Sequence, residues 1–282
     1  MRTTVPGVRT LVLICIITIS SFSQTYAQSI STGNGKIEVG LGLGPMFFLG
    51  DLGGHYGVGT RFLKDLNIPL TQFSKGLYLN LYPAEFIGFR VAFNQGKLTG
   101  DDAIIHGRGG DEEFRLQRNL EFQTNIWEAY GAIEFYPTVF MEQYDGLKGK
   151  LRPYGILGFG VYHFNPKARY FDPSGKSTWV DLQPLRLEGQ GMSEYPTRPQ
   201  YSLTQYNVPM GAGFKYYIKD NFYVGFEILY RKTFTDYIDN VSKDYIDANL
   251  FDKYLTPQQS VMAHQLYYRE NLVKPGSRPP NP

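Results

Sequence analysis

The feature that most constrains this chain is an alternation of period two whose apolar side is the fuller one. In the stretch NFYVGFEILYRKTF (221–234), one face of an extended chain carries large apolar side chains at every position, Phe222, Val224, Phe226, Ile228 and Tyr230. The opposite face includes Glu227 and Arg231. Period-two alternation indicates a β-strand with two different surroundings. The question is which surroundings suit the apolar face.

The same pattern recurs along the chain and predicts about seven strands. They cover roughly Lys36 to Leu49, Gly76 to Tyr82, Phe86 to Thr99, Leu120 to Tyr136, Pro153 to Phe164, Tyr206 to Ile218 and Asn221 to Phe234. Several exceed the usual length of strands in soluble sheets, about five or six residues. Most reach the roughly 9 to 11 residues that a tilted strand needs to cross a bilayer.

The two faces of these strands differ in chemistry, and this difference predicts the fold class. Leu, Ile, Val and Phe fill one face, whereas Gly and charged residues fill the other. A soluble β-sandwich hides its apolar face in a shared core and turns its polar face to water. A membrane barrel does the reverse, with an apolar outside and a polar inside. We therefore predict an all-β, antiparallel transmembrane β-barrel in contact with outer-membrane lipid.

The N-terminus predicts export. Arg2 and Arg9 precede the apolar run 11–19, and a small residue, Ala27, offers a cleavage point, which is typical of a secretory signal peptide over 1–27. The one cysteine, Cys15, lies in this leader, so the mature chain is expected to lack thiols. A short lead, 28–35, would follow the signal peptide.

Connection lengths predict the orientation and the extent of the barrel. Long and short links alternate along the chain, as in outer-membrane barrels with long outer loops and short periplasmic turns. This assigns 36–234 to the barrel and 235–282 to a long polar outer loop. The link 138–152 becomes the largest periplasmic protrusion.

Seven is an odd number of strands, whereas bacterial single-chain barrels have even numbers. We expect an eighth strand, lying beyond Pro282, with the outer loop truncated at the end of this sequence. The alternative is that 261–273 (VMAHQLYYRENLV) closes the sheet, although its alternation is poor.

Seven charged residues are predicted to point into the barrel, where a closed ring of about eight strands is filled by side chains. They are Glu38, Arg90, Glu128, Glu134, Lys215, Glu227 and Arg231. Buried charges persist when they are paired, so an ion-pair plug is the main expectation and a proton or solute path is the alternative.

The remaining chemistry argues against several function classes. A net charge of +2 gives no basic surplus for nucleic acid, and no motif indicates a cofactor or metal. His163 is the best-placed histidine for a hydrolase or acyltransferase at the rim, but a structural rim residue is the simpler interpretation. We therefore predict that the chain is not an enzyme.

Several long runs carry a resemblance to a known family. FFLGDLGG (47–54), FNPKA (164–168), DLQPLRLEGQG (181–191), YSLTQ (201–205) and RKTFTDY (231–237) resemble the PorG-like outer-membrane β-barrel family of the type IX secretion system. The resemblance implies a barrel that holds the periplasmic ring of the secretion and gliding apparatus, a lipoprotein and its partner, against the outer membrane. It also implies a further aromatic strand at the C-terminus, which this sequence does not contain.

Two surfaces of the barrel follow as hypotheses. At the outer mouth, Asn165, Lys167, Gln183, Glu188 and Asp236, together with Arg231, are expected to form a hydrogen-bonded cap, although they could equally do no more than end strands. On the periplasmic side, contact with the ring is expected at Gln143 to Lys150, through Gln143, Lys148 and Lys150. The alternative function is a free-standing small barrel that binds a ligand or lipid through its outer loops.

Overall fold

The computed structural model of the chain describes residues 37–50, 52, 68–104, 112–141, 150–219 and 222–269. The predicted signal peptide and lead, 1–35, lie outside these ranges, as do Gln143 and Lys148.

Within the described ranges, nine strands form one sheet. They are β1 (Ile37–Met46), β2 (Gln72–Ala84), β3 (Ile87–Asp101), β4 (Glu121–Phe135), β5 (Leu151–His163), β6 (Lys167–Phe171), β7 (Ser177–Asp181), β8 (Thr204–Lys219) and β9 (Phe222–Thr233). All seven predicted strands are confirmed, with ends that differ by a few residues. The β6–β7 hairpin was not predicted, because its strands of five residues each are too short to show a clear alternation.

The seven long strands follow chain order in space, β1-β2-β3-β4-β5-β8-β9, and every pairing is antiparallel. The sheet is curled into a half-barrel. Among the described residues, β1 pairs only with β2 and β9 only with β8. Closure of the predicted barrel is therefore not seen in this part of the chain.

The convex face of the sheet is apolar and exposed. Val39, Leu41 and Leu43 on β1 are 75%, 76% and 74% exposed, and Ile228 on β9 is 65% exposed. The concave face holds the buried polar side chains, with Glu134 at 0% and Lys215 at 1%. The predicted assignment of the two faces is confirmed by these exposures.

A cap, named the outer cap after its predicted side of the membrane, covers one end of the curled sheet. It combines the β6–β7 hairpin with helices α1 (Glu112–Arg118), α2 (Leu250–Tyr254) and α3 (Pro257–Tyr267). Thr256 and Gln259 form a capping box at the start of α3, which fixes where that helix begins. The side chains of Phe122, Phe164, Met192, Phe251 and Leu266 are almost fully buried beneath the cap.

Helix α3 corrects one expectation. The alternative closing strand over 261–273 is wrong, because 257–267 is helical and packs on the hairpin through Gln265 and Phe171. The predicted outer loop, 235–282, therefore contains folded elements over its described part. No helix of the described residues is long and apolar enough to span a membrane.

Candidate functional site

The concave face of the half-barrel carries a network of buried charges with Glu134 at its centre. Glu134 lies on β4, and its carboxylate forms ion pairs with Arg90 of β3 and with Lys215 of β8, the latter at 3.2 Å. It also accepts hydrogen bonds from Asn80 at 3.2 Å and from Tyr82 at 3.1 Å. One carboxylate thus receives donors from three strands, β2, β3 and β8, and from Tyr136, the residue that follows β4.

Lys215 links this centre to the first strand. Its Nζ lies 2.8 Å from Glu38 Oε2, and it also donates to the Tyr82 hydroxyl. Tyr217 donates to the other oxygen of Glu38 at 2.5 Å. These contacts join β1 to β8 through side chains, although the two strands share no backbone pairing. The curl of the sheet is therefore stabilised across the interior by charge-assisted bonds.

Two further ion pairs extend the network toward β9. Arg90 Nη1 lies 2.6 Å from Glu227 Oε2, and Tyr154 donates to the same oxygen at 2.8 Å. Nearer the cap, Arg231 Nε lies 2.8 Å from Glu128 Oε2, and Asn207 donates to Glu128 at 2.6 Å. All seven predicted interior charges thus lie on the concave face, each within an ion pair.

Sequence reasoning missed the uncharged partners of these charges. Tyr82, Tyr136, Tyr154 and Tyr217 are buried, and Asn80 is fully buried. Their positions alternate with outward apolar residues, as in LYLNLY (77–82), and that signal assigns them to the interior. Which carboxylate each one contacts depends on the curl of the sheet, which the alternation does not encode.

A cavity of about 720 Å³ lies beside the network, between the free edges of β1 and β9. Its lining includes Gly42, Gly44, Arg90 and Arg231. A Cβ atom added at Gly42 or Gly44 would have no heavy atom within 4 Å. The interior is therefore packed on the β2–β8 side and open on the side of the unpaired edges.

The predicted cap residues do not join into one cluster but form separate local groups. Asn165 and Lys167 both contact Asp181, at 3.1 Å and 3.0 Å, and Gln183 donates to the carbonyl of Tyr201 at 3.0 Å. Arg231 pairs with Glu128 in the interior, as described above, and Asp236 is exposed. The expected single hydrogen-bonded cap is therefore wrong for these six residues.

Glu188 is the one predicted cap residue that holds two distant segments together. Its carboxylate accepts hydrogen bonds from the backbone N–H groups of Ser242 and Lys243, at 3.0 Å and 2.9 Å to Oε1. Burial raises the pKa of Glu188, and these backbone hydrogen bonds offset part of that rise. The contact fixes the segment after β9 on the loop that follows β7.

The structure also describes Lys150, predicted for the periplasmic contact, and His163, the histidine considered for catalysis. Lys150 precedes β5 at the end of the sheet opposite the cap; it is exposed, and its backbone carbonyl accepts a hydrogen bond from the N–H of Tyr217 at 2.7 Å. His163 stacks on Trp127 with 5.5 Å between ring centroids, and its Nδ1 lies 3.0 Å from the Thr204 hydroxyl. These contacts of His163 include no carboxylate, which a catalytic triad would need.

The described residues contain no group of three or more His, Cys, Asp or Glu side chains that could hold a metal ion. In comparisons with known proteins, no protein-family model, no curated protein and no solved structure matches the chain.

Proposed function

We propose that this chain is an outer-membrane β-barrel that serves as a structural and assembly subunit of type IX secretion and gliding machinery. The observation that carries the membrane placement is the inverted arrangement of the sheet, with apolar side chains exposed outside and paired charges buried inside. Water would penalise the 25 large apolar side chains that the seven long strands expose, whereas hydrocarbon accepts them.

The proposed barrel needs one more strand. Seven strands joined by antiparallel pairings leave β1 and β9 running in the same direction, so a single additional strand is antiparallel to both. Free backbone N–H and C=O groups on these edges are costly in lipid, which disfavours an open sheet there. The inward glycines Gly42 and Gly44 leave space for large inward side chains on that strand.

Membrane placement is tested by fractionation of cells that produce the full chain. The barrel should sediment with outer membranes, resist extraction by carbonate and enter solution with detergent. Recovery of the processed chain in the soluble periplasmic fraction without detergent would overturn the proposal.

The secretion role is supported by the resemblance in sequence, through runs such as FNPKA (164–168) and RKTFTDY (231–237). It predicts that the detergent-solubilised barrel recovers the periplasmic ring lipoprotein and its partner. Reversing charge at Lys148 and Lys150 should reduce this recovery, because both lysines belong to the proposed periplasmic contact with Gln143. The matched control reverses Lys176 and Lys253, which lie on the cap at the opposite end.

The outcomes of the pull-down separate two functions. Loss of the ring only in the periplasmic variant supports the secretion role, and equal recovery by both variants rules out this contact. A barrel recovered alone in every case favours the second candidate, a free-standing small barrel that binds a ligand through its outer loops. The observation that favours the second candidate is a cavity within the cap.

A further inference from the structure

A cavity of about 620 Å³ lies inside the outer cap, remote from the charged interior of the sheet. Its size falls in the range of about 300–1,000 Å³ that is usual for small-molecule sites. Six parts of the chain enclose it: Leu52, helix α1, the start of β4, strand β6, the loop after β7, and the stretch from Asp239 to Arg269. Elements distant in sequence thus build one pocket.

Apolar side chains supply much of the wall. Leu182, Leu187 and Leu266 are buried in the cap's hydrophobic cluster and also line the cavity, together with Leu52 and Ala168. A wall of this kind favours a hydrocarbon or aromatic body over a sugar or a nucleotide, because it offers few partners for hydroxyl groups.

The charged side chains of the wall differ in how many of their hydrogen bonds are formed. The acidic side chains have partners: Glu121 pairs with Arg169 and Arg269, and Glu188 accepts hydrogen bonds from the backbone N–H groups of 242 and 243. Asp239 accepts from the backbone N–H of Val241 at 3.0 Å. These carboxylates therefore offer little to a cationic ligand.

Arg269, in contrast, has hydrogen-bond donors without an acceptor. Its side chain is 5% exposed, and its Nη2 donates to Glu121 at 2.9 Å. Its Nε and Nη1 have no acceptor among the described residues. The backbone of Arg269 is fixed by bonds to Arg118 and Asn119, at 3.3 Å and 3.2 Å, which hold the guanidinium beside the cavity. A buried guanidinium with unmade hydrogen bonds is costly, and an oxyanion beside it would remove that cost.

We infer that the cap cavity binds a small amphipathic organic anion, whose carboxylate pairs with Arg269 and whose apolar body lies against Leu182, Leu187 and Leu266. Lys243, which also lines the cavity, adds positive charge at its wall. The site lies at the cap end of the sheet, away from the proposed periplasmic contact, so it does not depend on the secretion role or on the contact with the ring.

The test is calorimetric titration of the full chain, in nanodiscs, with 4-phenylbutyrate as the probe. We expect one binding site in the roughly micromolar to millimolar range. The neutral analogue 4-phenylbutanamide, which keeps the apolar body and lacks the charge, should bind at least about tenfold more weakly, because it cannot form the ion pair.

Substitutions at Arg269 test whether this residue binds the carboxylate of the probe. Arg269→Met should weaken binding of 4-phenylbutyrate by about tenfold or more, whereas Arg269→Lys should retain part of it, since the positive charge remains. Lys176→Met removes an exposed cation on the same cap, outside the cavity wall, and should leave binding unchanged. Heat-modifiable migration in gels checks that each variant is folded.

Three results would overturn the inference. They are no binding of the probe at about millimolar concentration, equal binding of the acid and its amide, and unchanged binding by folded Arg269→Met. Should Arg269→Met fail to fold, the acid against amide comparison on the unaltered chain decides alone.

Discussion

At the scale of single residues, Glu134 is the carboxylate on which the interior depends. It is fully buried, pairs with both Arg90 and Lys215, and accepts from Asn80 and Tyr82. Two buried cations share it, so its loss leaves more than one charge undercompensated. Buried ion pairs of this kind contribute little net stability when intact and cost much when one partner is removed.

Replacement of Glu134 by alanine should therefore destabilise the fold by roughly 3–5 kcal/mol. The measurement is urea unfolding of the protein in detergent, followed by tryptophan fluorescence. Glu194→Ala is the matched control, because Glu194 pairs with Lys253 on the exposed surface of the cap. The control should leave the unfolding midpoint nearly unchanged. Equal midpoints for both variants would show that the interior network does not stabilise the sheet.

Two glycines of the concave face, on the separate strands β8 and β1, predict opposite responses to the same substitution. At Gly211 on β8, an added Cβ atom would lie 2.0 Å from the backbone oxygen of Ile228 on β9, whereas at Gly42 nothing lies within 4 Å. Gly211→Ala must displace β9, since a backbone atom cannot turn aside as a side chain can. We expect Gly211→Ala to lower the yield of heat-modifiable protein and Gly42→Ala to keep it. The reverse order would contradict this packing of β8 on β9.

At the scale of elements, the side chain of Gln265 bonds helix α3 to the backbone of the β6–β7 hairpin. Gln265 donates from Nε2 to the carbonyl of Phe171 and accepts from the same residue's N–H, both at 2.8 Å. The side-chain amide therefore bonds to the backbone of Phe171 as a peptide group of a neighbouring strand would. This contact fixes a helix that the apolar pattern of the sequence did not reveal.

Gln265→Ala should remove both hydrogen bonds and weaken the docking of α3 by about 1–3 kcal/mol. Amide hydrogen exchange reports the effect directly, because the N–H of Phe171 loses its acceptor and should exchange faster. Gln258→Ala, an exposed glutamine on the same helix, serves as the control. Unchanged protection at Phe171 in the Gln265 variant would mean that other contacts dock the helix.

The cap should also respond to pH through Glu188. Its pKa is raised above the ordinary value of 4.5 by burial, so the folded cap binds this proton more readily than the unfolded chain does. The Glu188 contribution to stability is then largest below that ordinary pKa and falls as the pH rises through the raised folded value. Exchange protection at Ser242 and Lys243, corrected for intrinsic rates, should decline over this range. Glu188→Gln should flatten the decline, and an unchanged slope would assign it to another group.

The elements differ in how far the sequence alone predicts them. The alternation in β1 or β9 needs only local residues, so strand positions and their faces are readable from the chain. The β6–β7 hairpin and helix α3 are stabilised by contacts such as Gln265 with Phe171, which join residues 94 positions apart. Such contacts leave no periodic signal. The interior partners of Glu134 likewise depend on how far the whole sheet curls.

At the scale of the whole molecule, two tryptophans probe the proposed membrane placement independently. Trp127 lies on the convex face of β4, 40% exposed, whereas Trp179 lies on β7 of the cap, 42% exposed. They are the two tryptophans of the chain. Similar exposure in different proposed surroundings makes them a matched pair, because lipid should contact Trp127 and water should contact Trp179.

In liposomes that contain brominated lipids, the Trp179→Phe variant should lose much of its fluorescence, since its remaining Trp127 touches acyl chains at the apolar belt. The Trp127→Phe variant should keep its fluorescence there and be quenched by aqueous acrylamide instead. The inverted result would place the cap, not the convex face, in the bilayer. Quenching of both variants by acrylamide alone would show that the convex face meets water, and the apolar belt would then need another cover, such as a second protein surface.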